Sequence, residues 1–427
     1  MSNPDPQLRL RKPRLNAAFD ALEAASPTGQ RVHIAAAALA MFGAGLPTTY
    51  AEACQLPLVL VALARLPSTR RVAPALFAQP FFWLVCLWAA WHALTLAWSA
   101  DPSEGLDQLG PSRFALVSIA LWPVVRRRRL LLVWMLTGYL AGFAAQLAEI
   151  VGLWDPNPAS GRDSGWWDPA VAGSILMVPL GIALSLIIAP RSRTTIWGIA
   201  LTIFVVLMLI ATGTRGGWLA GAGLLVIASP MVLKHMLGTK PFVTVGVVAV
   251  LSAIALGAAF GIAGDRVSEA REEISAALID KDYDSSTGRR IQMYAVAADA
   301  FVDHPIAGVG AGGFRAYWGE WLDKRGLENS RLDHAHNAVL HTAATTGLVG
   351  LLIGLGLVVT LYRGTMVGLI GPVHARTLEA APLLAVVGLT LVSVFDAVQL
   401  NQQTALAIGL LAGICPLRRP RERSMGF

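Results

Sequence analysis

The residues whose types suggest chemistry lie in four short motifs in the second half of the chain. They are T-G-T-R-G-G-W (212–218), S-S-T-G-R-R-I-Q-M-Y (285–294), H-P-I-A-G-V-G-A-G-G-F (304–314) and D-H-A-H-N (333–337). An arginine guanidinium matches phosphate oxygens two at a time, and a neutral histidine accepts a proton near neutral pH. Together these residue types indicate a phosphate-containing substrate beside a candidate general base.

Arginines stand at two positions where an anion could bind. Arg215 lies between glycines at the outer end of a predicted membrane span, and Arg289 and Arg290 open a predicted helix. Glycines permit close approach of a ligand, and a helix start favours anions. The alternatives are an arginine snorkelling to the membrane interface and a solvated surface pair. Because the outer short loops are nearly free of basic residues, Arg215 departs from the charge pattern, and we favour a functional role for it.

Two histidines lie where a long polar segment returns to the membrane. His334 and His336 are followed by Asn337, which could orient a ring or a sugar hydroxyl. On a helix, residues two apart point to different faces, so the pair would be a poor metal clamp there and no metal site is expected. No H-E-x-x-H motif or Cys/His cluster exists. A histidine here could act as a general base; the alternative is an interfacial hydrogen-bonding role.

The glycines of the third motif match a dinucleotide fingerprint only formally. Gly308, Gly310 and Gly313 have the G-x-G-x-x-G spacing. A dinucleotide-binding loop must follow a strand and open a helix, whereas this one follows a predicted helix. We therefore predict a tight turn that packs on the membrane face.

Three acidic residues lie in or at the edges of predicted spans: Glu52, Glu149 and Asp396. Acids inside a membrane are costly and tend to be functional, and a proton relay would explain them. We favour the alternative, a position near a helix end.

Composition identifies the class of protein. The 427 residues are 55% hydrophobic and 14% charged, whereas a soluble domain carries about 25% charge. Three cysteines set in apolar runs provide no disulfide framework. The net charge of +7 does not indicate nucleic-acid binding, because the basic residues mark one side of a membrane. The sequence predicts an all-α polytopic membrane protein.

We predict about twelve membrane helices, each of roughly 20 apolar residues. They lie near 32–46, 50–66, 79–98, 112–125, 130–152, 169–189, 195–212, 216–233, 241–263, 336–361, 378–396 and 401–416. Basic residues follow every second span, so the positive-inside rule places both chain ends in the cytoplasm. The predicted division is a tail (1–30), spans (31–263), an external loop (264–335), spans (336–416) and a tail (417–427).

The external loop is itself predicted to be helical. Residues 266–279 resemble a surface helix, and a short aromatic helix is expected over 315–328. Between them, residues 289–303 form a predicted helix that ends at His304-Pro305. Its apolar stripe is expected to comprise Ile291, Tyr294, Ala298 and Phe301.

These motifs together resemble the O-antigen ligase family and, more broadly, O-antigen polymerases and bacterial O-linked oligosaccharyltransferases. The resemblance covers about 170–416 and rests on T-G-T-R-G-G, G-R-R-x-x-x-Y (288–294), the histidine-glycine turn and H-N-x-x-L (336–340). The family pattern has one arginine four residues before its aromatic, which selects Arg290 over Arg289. Its H-N selects His336 over His334. Tyr294 stands where tryptophan is common in the family.

The resemblance implies a GT-C-like fold and transfer of a polysaccharide from undecaprenyl pyrophosphate to lipid A–core. The site would lie on the periplasmic face of a bacterial inner membrane, surrounded by membrane lipids, without metal, nucleotide or other cofactor. His336 would be the base, Arg215, Arg290 and Arg289 would bind pyrophosphate, and the supporting residues would be His334, Asn337 and Tyr294.

Two alternatives remain open. An O-antigen polymerase or protein O-oligosaccharyltransferase would use the same residues with a different acceptor. A transporter or flippase would explain the many spans, but the chain lacks the internal repeat found in many transporters and has a long loop of ordered character.

Overall fold

The computed structural model describes residues 11–70, 72–156, 162–188, 192–237, 271–280, 282–327, 332–366 and 378–415. Within these ranges the regular elements are helices and no strand is present, in agreement with the predicted all-α class. Thirteen α-helices precede the predicted external loop: α1 (Arg11–Ala25), α2 (Pro27–Gly43), α3 (Thr48–Ala64), α4 (Leu66–Thr69), α5 (Ala73–Phe77), α6 (Pro80–Thr95), α7 (Pro102–Leu109), α8 (Phe114–Leu121), α9 (Arg128–Ile150), α10 (Pro169–Ile175), α11 (Met177–Ile187), α12 (Ser192–Ala211) and α13 (Arg215–Leu237).

Five further α-helices complete the described chain: α14 (Ser286–Asp303), α15 (Phe314–Asp323), α16 (Ala338–Met366), α17 (Ala381–Val392) and α18 (Gln402–Ile414). Residues 271–275 are also helical and continue into a π-helical turn at Ala276–Asp280. The predicted surface helix over 266–279 is therefore present in its second part, and residues 266–270 lie outside the described chain. The predicted aromatic helix over 315–328 corresponds to α15.

Several helices have the length and apolar composition of membrane spans. Six such stretches occur among the described residues: Pro80–Trp98, Pro102–Ile150, Pro169–Ile187, Arg193–Ala211, Arg215–Leu233 and Ala338–Met366. Three shorter apolar helices accompany them: α3, α17 and α18. The predicted spans 112–125 and 130–152 fall within one helical stretch, Pro102–Ile150. The predicted span 241–263 lies outside the described residues. The chain is thus a helical membrane protein, and the count of twelve spans stays a prediction.

Small residues allow the long helices to approach closely. A Cβ on Gly45 would lie 2.1 Å from the carbonyl carbon of Gly138, and a Cβ on Gly181 would lie 2.4 Å from the backbone nitrogen of Ala385. Helices in lipid associate by van der Waals packing, so such close backbone contacts replace the hydrophobic driving force of a soluble core. The largest buried cluster joins residues of α2, α9, α11, α17 and α18.

A second apolar cluster holds α14 and α15 over the start of α16. Met293, Val296 and Ala300 of α14 are buried against Phe314 and Trp318 of α15. The predicted apolar stripe of α14 was wrong in register, because Ala298 is exposed and the buried face is the one that meets α15. The cluster fixes α14, and with it the two arginines near its start, relative to α16.

Helix α16 is interrupted at Gly347, and the turn at residues 304–313 fills the interruption. Gly347 has φ 65° and ψ −163°. Leu348 N donates to Pro305 O at 2.8 Å, and Gly310 N donates to Thr345 O at 3.0 Å. A Cβ on Gly308 would lie 2.3 Å from the backbone carbon of Thr345. This satisfies the backbone groups that a break at membrane depth would otherwise expose. The glycine motif is therefore the predicted tight turn packed on membrane helices.

Candidate functional site

The turn at residues 393–397, which follows α17, contacts residues from three of the four motifs. Ala338 N donates to Ser393 O at 2.8 Å, and Asn337 Nδ2 donates to Val394 O at 2.9 Å. The hydroxyl of Tyr294 lies 3.5 Å from Val394 O. The same turn also approaches the first motif, because a Cβ on Gly216 would lie 2.7 Å from Cβ of Phe395. We call residues 393–397 the assembly turn.

His336 has an unusual backbone conformation at the edge of this turn. Its φ is 45°, a region that residues other than glycine enter rarely and at a cost of about 1–3 kcal/mol. The next residue, Asn337, accepts hydrogen bonds from Val339 N and Leu340 N, both at 3.0 Å. Helix α16 thus begins at Ala338 with Asn337 as its N-cap. The helix thus begins two residues after the start of the predicted span 336–361, and both histidines precede it.

The His336 ring contacts the carboxylate of Asp396. Nδ1 of His336 lies 3.3 Å from Oδ1 of Asp396, and that oxygen also accepts a hydrogen bond from Ala397 N at 2.9 Å. The side chains of His336 and Asp396 are 29% and 17% exposed. If Nδ1–H donates to the carboxylate, Nε2 is left with the lone pair that accepts a proton. Such a pair is suited to general-base catalysis.

His334 lies directly beside His336. Their ring centroids are 4.2 Å apart. Burial, and secondarily the neighbouring His336, lower the pKa of His334, so its ring stays neutral at pH values where an ordinary histidine becomes charged. His334, His336 and Asp396 each offer a ligand atom, and these atoms lie within 4.8 Å of one another. The prediction that the two histidines point to different faces was therefore wrong, and three potential metal ligands are close together.

Arg215 is the first residue of α13. Before it, Gly213 has φ 62°, and the hydroxyls of Thr212 and Thr214 lie 2.8 Å apart. The Arg215 side chain is 36% exposed, and its Nη1 lies 3.8 Å from Oε2 of Glu273. The same carboxylate oxygen accepts a hydrogen bond from Thr287 N at 3.3 Å, in the first turn of α14. Arg215 and the first turn of α14 therefore both contact the carboxylate of Glu273.

The two arginines of α14 differ in their surroundings. Ser285 caps the helix by accepting a hydrogen bond from Gly288 N at 2.9 Å. Arg289 is exposed, whereas Arg290 is half-buried. Burial raises the pKa of the Tyr294 hydroxyl, while the nearby positive charge of Arg290 opposes this rise. Arg290 therefore lies on the side of α14 that faces Tyr294 and the assembly turn.

The structure brings most of the predicted site residues into one neighbourhood. The assembly turn is surrounded by His334, His336, Asn337 and Tyr294. Arg290 lies one helical turn before Tyr294, which contacts the assembly turn, and Arg215 directly precedes Gly216, which lies against Phe395. Arg289 points away as an exposed side chain. The two residues that the sequence did not assign to the site are Asp396 and Glu273.

The other two acids at span edges have structural contacts. Glu149 accepts hydrogen bonds from Ser164 N at 2.7 Å and Gly165 N at 2.5 Å, which anchors the segment before α10. Glu52 forms an ion pair with Arg113 at 2.6 Å. These contacts agree with the structural interpretation favoured for Glu52 and Glu149. Asp396 differs from both, because its partner is the candidate base.

Comparison with known proteins supports the family resemblance. Residues 200–355 match the model of the O-antigen ligase family. Over 184 residues the chain is 25% identical to an uncharacterised protein of Haemophilus influenzae, covering 42% of this chain and 46% of that protein. The chain thus spans about half the length of this curated relative. The family match contains all four motifs and ends before the assembly turn. The predicted resemblance to the O-antigen ligase family is confirmed over this region.

Proposed function

We propose that this chain is a membrane glycosyltransferase that moves a polysaccharide from undecaprenyl pyrophosphate to a sugar of lipid A–core. The observation that carries the proposal is the assembly turn, which joins the His336–Asp396 pair to the segments that bear Arg215 and Arg290. The match to the O-antigen ligase family supports an enzyme of polysaccharide assembly with lipid-linked substrates. Outside the cytoplasm there is no nucleotide-sugar supply, so a donor that carries its own leaving group fits the site.

The arginines bind the pyrophosphate in this proposal. Arg215 and the first turn of α14 face the carboxylate of Glu273, at 3.8 Å and 3.3 Å. A carboxylate held by a guanidinium and a helix N-terminus occupies the kind of position that binds phosphate. We infer that donor phosphate displaces Glu273 from this position and that Arg290 approaches from the Tyr294 side. Fixed guanidinium groups then stabilise the negative charge that develops on the leaving pyrophosphate.

His336 acts as the base. Its Nε2 takes the proton of the acceptor hydroxyl as the hydroxyl oxygen attacks the anomeric carbon of the donor sugar. The bond between that carbon and the pyrophosphate oxygen breaks, and undecaprenyl pyrophosphate leaves with the electron pair. Asp396 keeps the proton of the ring on Nδ1 and stabilises the imidazolium that forms. Attack opposite the leaving group inverts the anomeric centre.

The proposed reaction does not use a metal. The three potential ligands include two groups that already contact each other, since Nδ1 of His336 lies 3.3 Å from Asp396 Oδ1. With charge stabilisation supplied by arginines, EDTA in the assay is expected to leave the transfer rate unchanged. Loss of activity in EDTA with recovery on adding Zn²⁺ would instead assign His334, His336 and Asp396 as metal ligands.

The proposal places the site on the periplasmic face of a bacterial inner membrane, with both chain ends in the cytoplasm. The division into tails, two groups of spans (31–263 and 336–416) and the loop 264–335 is part of the same proposal. In that arrangement α14, α15 and the assembly turn cover the outer ends of the membrane helices. Two lipid-anchored substrates would reach the site sideways from the bilayer.

The decisive experiment is a reconstituted transfer assay. Purified full-length protein is given a glycan linked to undecaprenyl pyrophosphate, with lipid A–core or a second molecule of the lipid-linked glycan as acceptor. We expect glycosylated lipid A–core and release of undecaprenyl pyrophosphate. Extension of the second glycan alone would identify a polymerase that uses the same residues. Absence of transfer to either acceptor, with donor binding intact, would contradict the assigned reaction.

A further inference from the structure

A cavity lies at the opposite end of the helix bundle from His336. It is lined by parts of five segments, including Phe81 and Phe82 of α6, Ile119 of α8, Leu361 and Arg363 of α16, and Ala412 of α18. The cavity has a volume of about 90 Å³ and is partly open to the surroundings. The part of α16 after the break runs from Gly347 to Arg363, roughly 24 Å at 1.5 Å per residue, and it ends at the cavity. His336 precedes the other end of α16, so this helix separates the cavity from the site.

A group of aromatic rings borders the cavity. Phe77, Phe82 and Trp83 form an aromatic group at its edge, with ring centroids of Phe77 and Phe82 5.0 Å apart and those of Phe82 and Trp83 5.1 Å apart. The Trp83 side chain is exposed, and its Nε1 donates to Phe77 O at 2.8 Å. Exposed aromatic rings with one polar end are typical of the membrane–water interface.

Arg363 gives the cavity its charge. Among the described residues that line the cavity, Arg363 alone is charged, and its side chain is exposed. Two arginines before and at the start of α9 do have carboxylate partners: Arg129 Nη2 lies 3.2 Å from Glu379 Oε1, and Arg126 Nη1 lies 2.7 Å from Asp20 Oδ1. Within the described part of the chain no carboxylate forms an ion pair with Arg363. An apolar cavity with one guanidinium at its mouth therefore matches a molecule with an acyl chain and a negative head.

We propose that this cavity binds an anionic glycerophospholipid of the bilayer, with its phosphodiester on Arg363 and an acyl chain between α6, α8 and α16. Basic pockets between membrane helices are known binding places for anionic headgroups. The polyprenyl donor does not fit this position, because Arg215 and Arg290 lie at the other end of α16. The inference is independent of the proposed transfer reaction, because none of the cavity residues belongs to the site.

The test is lipid binding to full-length protein in detergent. Phosphatidylglycerol and phosphatidylcholine with the same acyl chains are titrated, and binding is followed by native mass spectrometry and by the shift of the melting temperature. We expect preferential binding of phosphatidylglycerol. Arg363→Gln should weaken it about fivefold, the equivalent of about 1 kcal/mol for one arginine near a lipid surface. Arg193→Gln, an exposed arginine near the start of α12 and away from the cavity, should change it less than about twofold.

A second variant tests the apolar part of the cavity. Ile119→Trp fills part of the cavity with an indole ring and should reduce binding of both lipids. Arg363→Gln, in contrast, should reduce only the preference for phosphatidylglycerol. Equal binding of the two lipids by the unaltered protein would overturn the proposal. So would an unchanged preference in Arg363→Gln, or displacement of phosphatidylglycerol by an equal concentration of undecaprenyl phosphate.

Discussion

At the scale of single residues, His336 combines a strained backbone with a hydrogen-bonded ring. Two contacts hold its φ of 45°: the ring of His336 contacts Asp396, and the next residue, Asn337, caps helix α16. Strain of this kind persists only where surrounding structure enforces it, and it is concentrated at functional sites. The conformation turns the ring away from the α16 axis and towards the assembly turn.

We predict that His336→Asn removes the base and leaves the fold intact. Asparagine adopts positive φ readily, and its amide can donate to Asp396 in place of Nδ1. Single-turnover transfer should fall by about 100- to 10,000-fold, while donor binding changes by less than about twofold. Wild-type turnover in His336→Asn would exclude this residue as the base.

The arginine prediction separates phosphate binding from simple charge. Arg215→Lys and Arg290→Lys should each lower transfer on the order of 100-fold, because an ammonium does not reproduce a bidentate phosphate contact. Arg289→Ala is the matched control on the exposed side of α14, and it should retain activity within about fivefold. Membrane insertion is checked by the yield of folded protein. If both lysine variants transfer at the wild-type rate, the arginines have a structural role only.

For Glu273 we predict that substitution strengthens binding of the donor, whereas the arginine substitutions weaken transfer. If its carboxylate occupies the position of a donor phosphate, Glu273→Gln should strengthen donor binding by about two- to fivefold, since the side chain is partly screened by solvent. Glu272→Gln, at the neighbouring exposed position, should have no effect on binding of the donor. Weaker donor binding in Glu273→Gln would mean that this carboxylate orients Arg215 for the substrate.

The sequence identified the motif residues because their chemistry is local, but it could not identify their partners. Asp396 contacts His336 across 60 positions, and Glu273 contacts Arg215 across a similar separation. The periodicity of a single sequence does not reveal contacts between residues that lie so far apart in the chain. The signal that did exist for Asp396 was the cost of an acid at the edge of a span, and the same signal also marked Glu52 and Glu149, which have structural partners.

At the scale of elements, the interruption of α16 depends on glycines at two places. Gly347 opens the helix, and Gly308 brings the turn of residues 304–313 against Thr345 and Thr346. The hydropathy of residues 336–361 is continuous, so the sequence predicted one uninterrupted span there. The bounds of α14 were predicted closely, whereas its buried face was not. Residues 295–298 are three alanines and one valine, so apolar side chains lie on every side of the helix there and its periodicity is ambiguous.

We predict that Gly308→Ala destabilises the protein by more than the cost of placing an alanine at positive φ. An alanine at φ 67° costs about 1–2 kcal/mol, and its Cβ would also meet the backbone of Thr345 at 2.3 Å. Gly326→Ala is the control, because Gly326 has φ 61° with no atom within 4 Å of the added Cβ. The melting temperature in detergent should fall clearly further for Gly308→Ala. Equal shifts would show that the turn can move away from α16 at no cost.

At the scale of the whole molecule, the predicted orientation can be tested by labelling. In a protein without its native cysteines, single cysteines at Asp107 and Glu272 should react with an impermeant thiol reagent added from outside the inner membrane. Cysteines at Arg70 and Arg193 should react only after the membrane is opened, as the alternation of basic loops requires. All four positions are exposed in the structure. If a cysteine at position 193 is labelled from outside while a cysteine at position 272 is protected, the orientation is reversed and the site lies in the cytoplasm.

The assembly turn also sets the order in which the protein becomes competent during its synthesis. By the time residue 366 has left the ribosome, both arginine segments, both histidines and the interrupted α16 have been made. Yet Asn337 lacks its carbonyl partner, Tyr294 and Gly216 lack their contacts with the assembly turn, and the ring of His336 has no carboxylate. Under the proposed mechanism, the chain at that stage carries the arginines and histidines of the site but lacks the carboxylate partner of the base, which is made with the turn between α17 and α18.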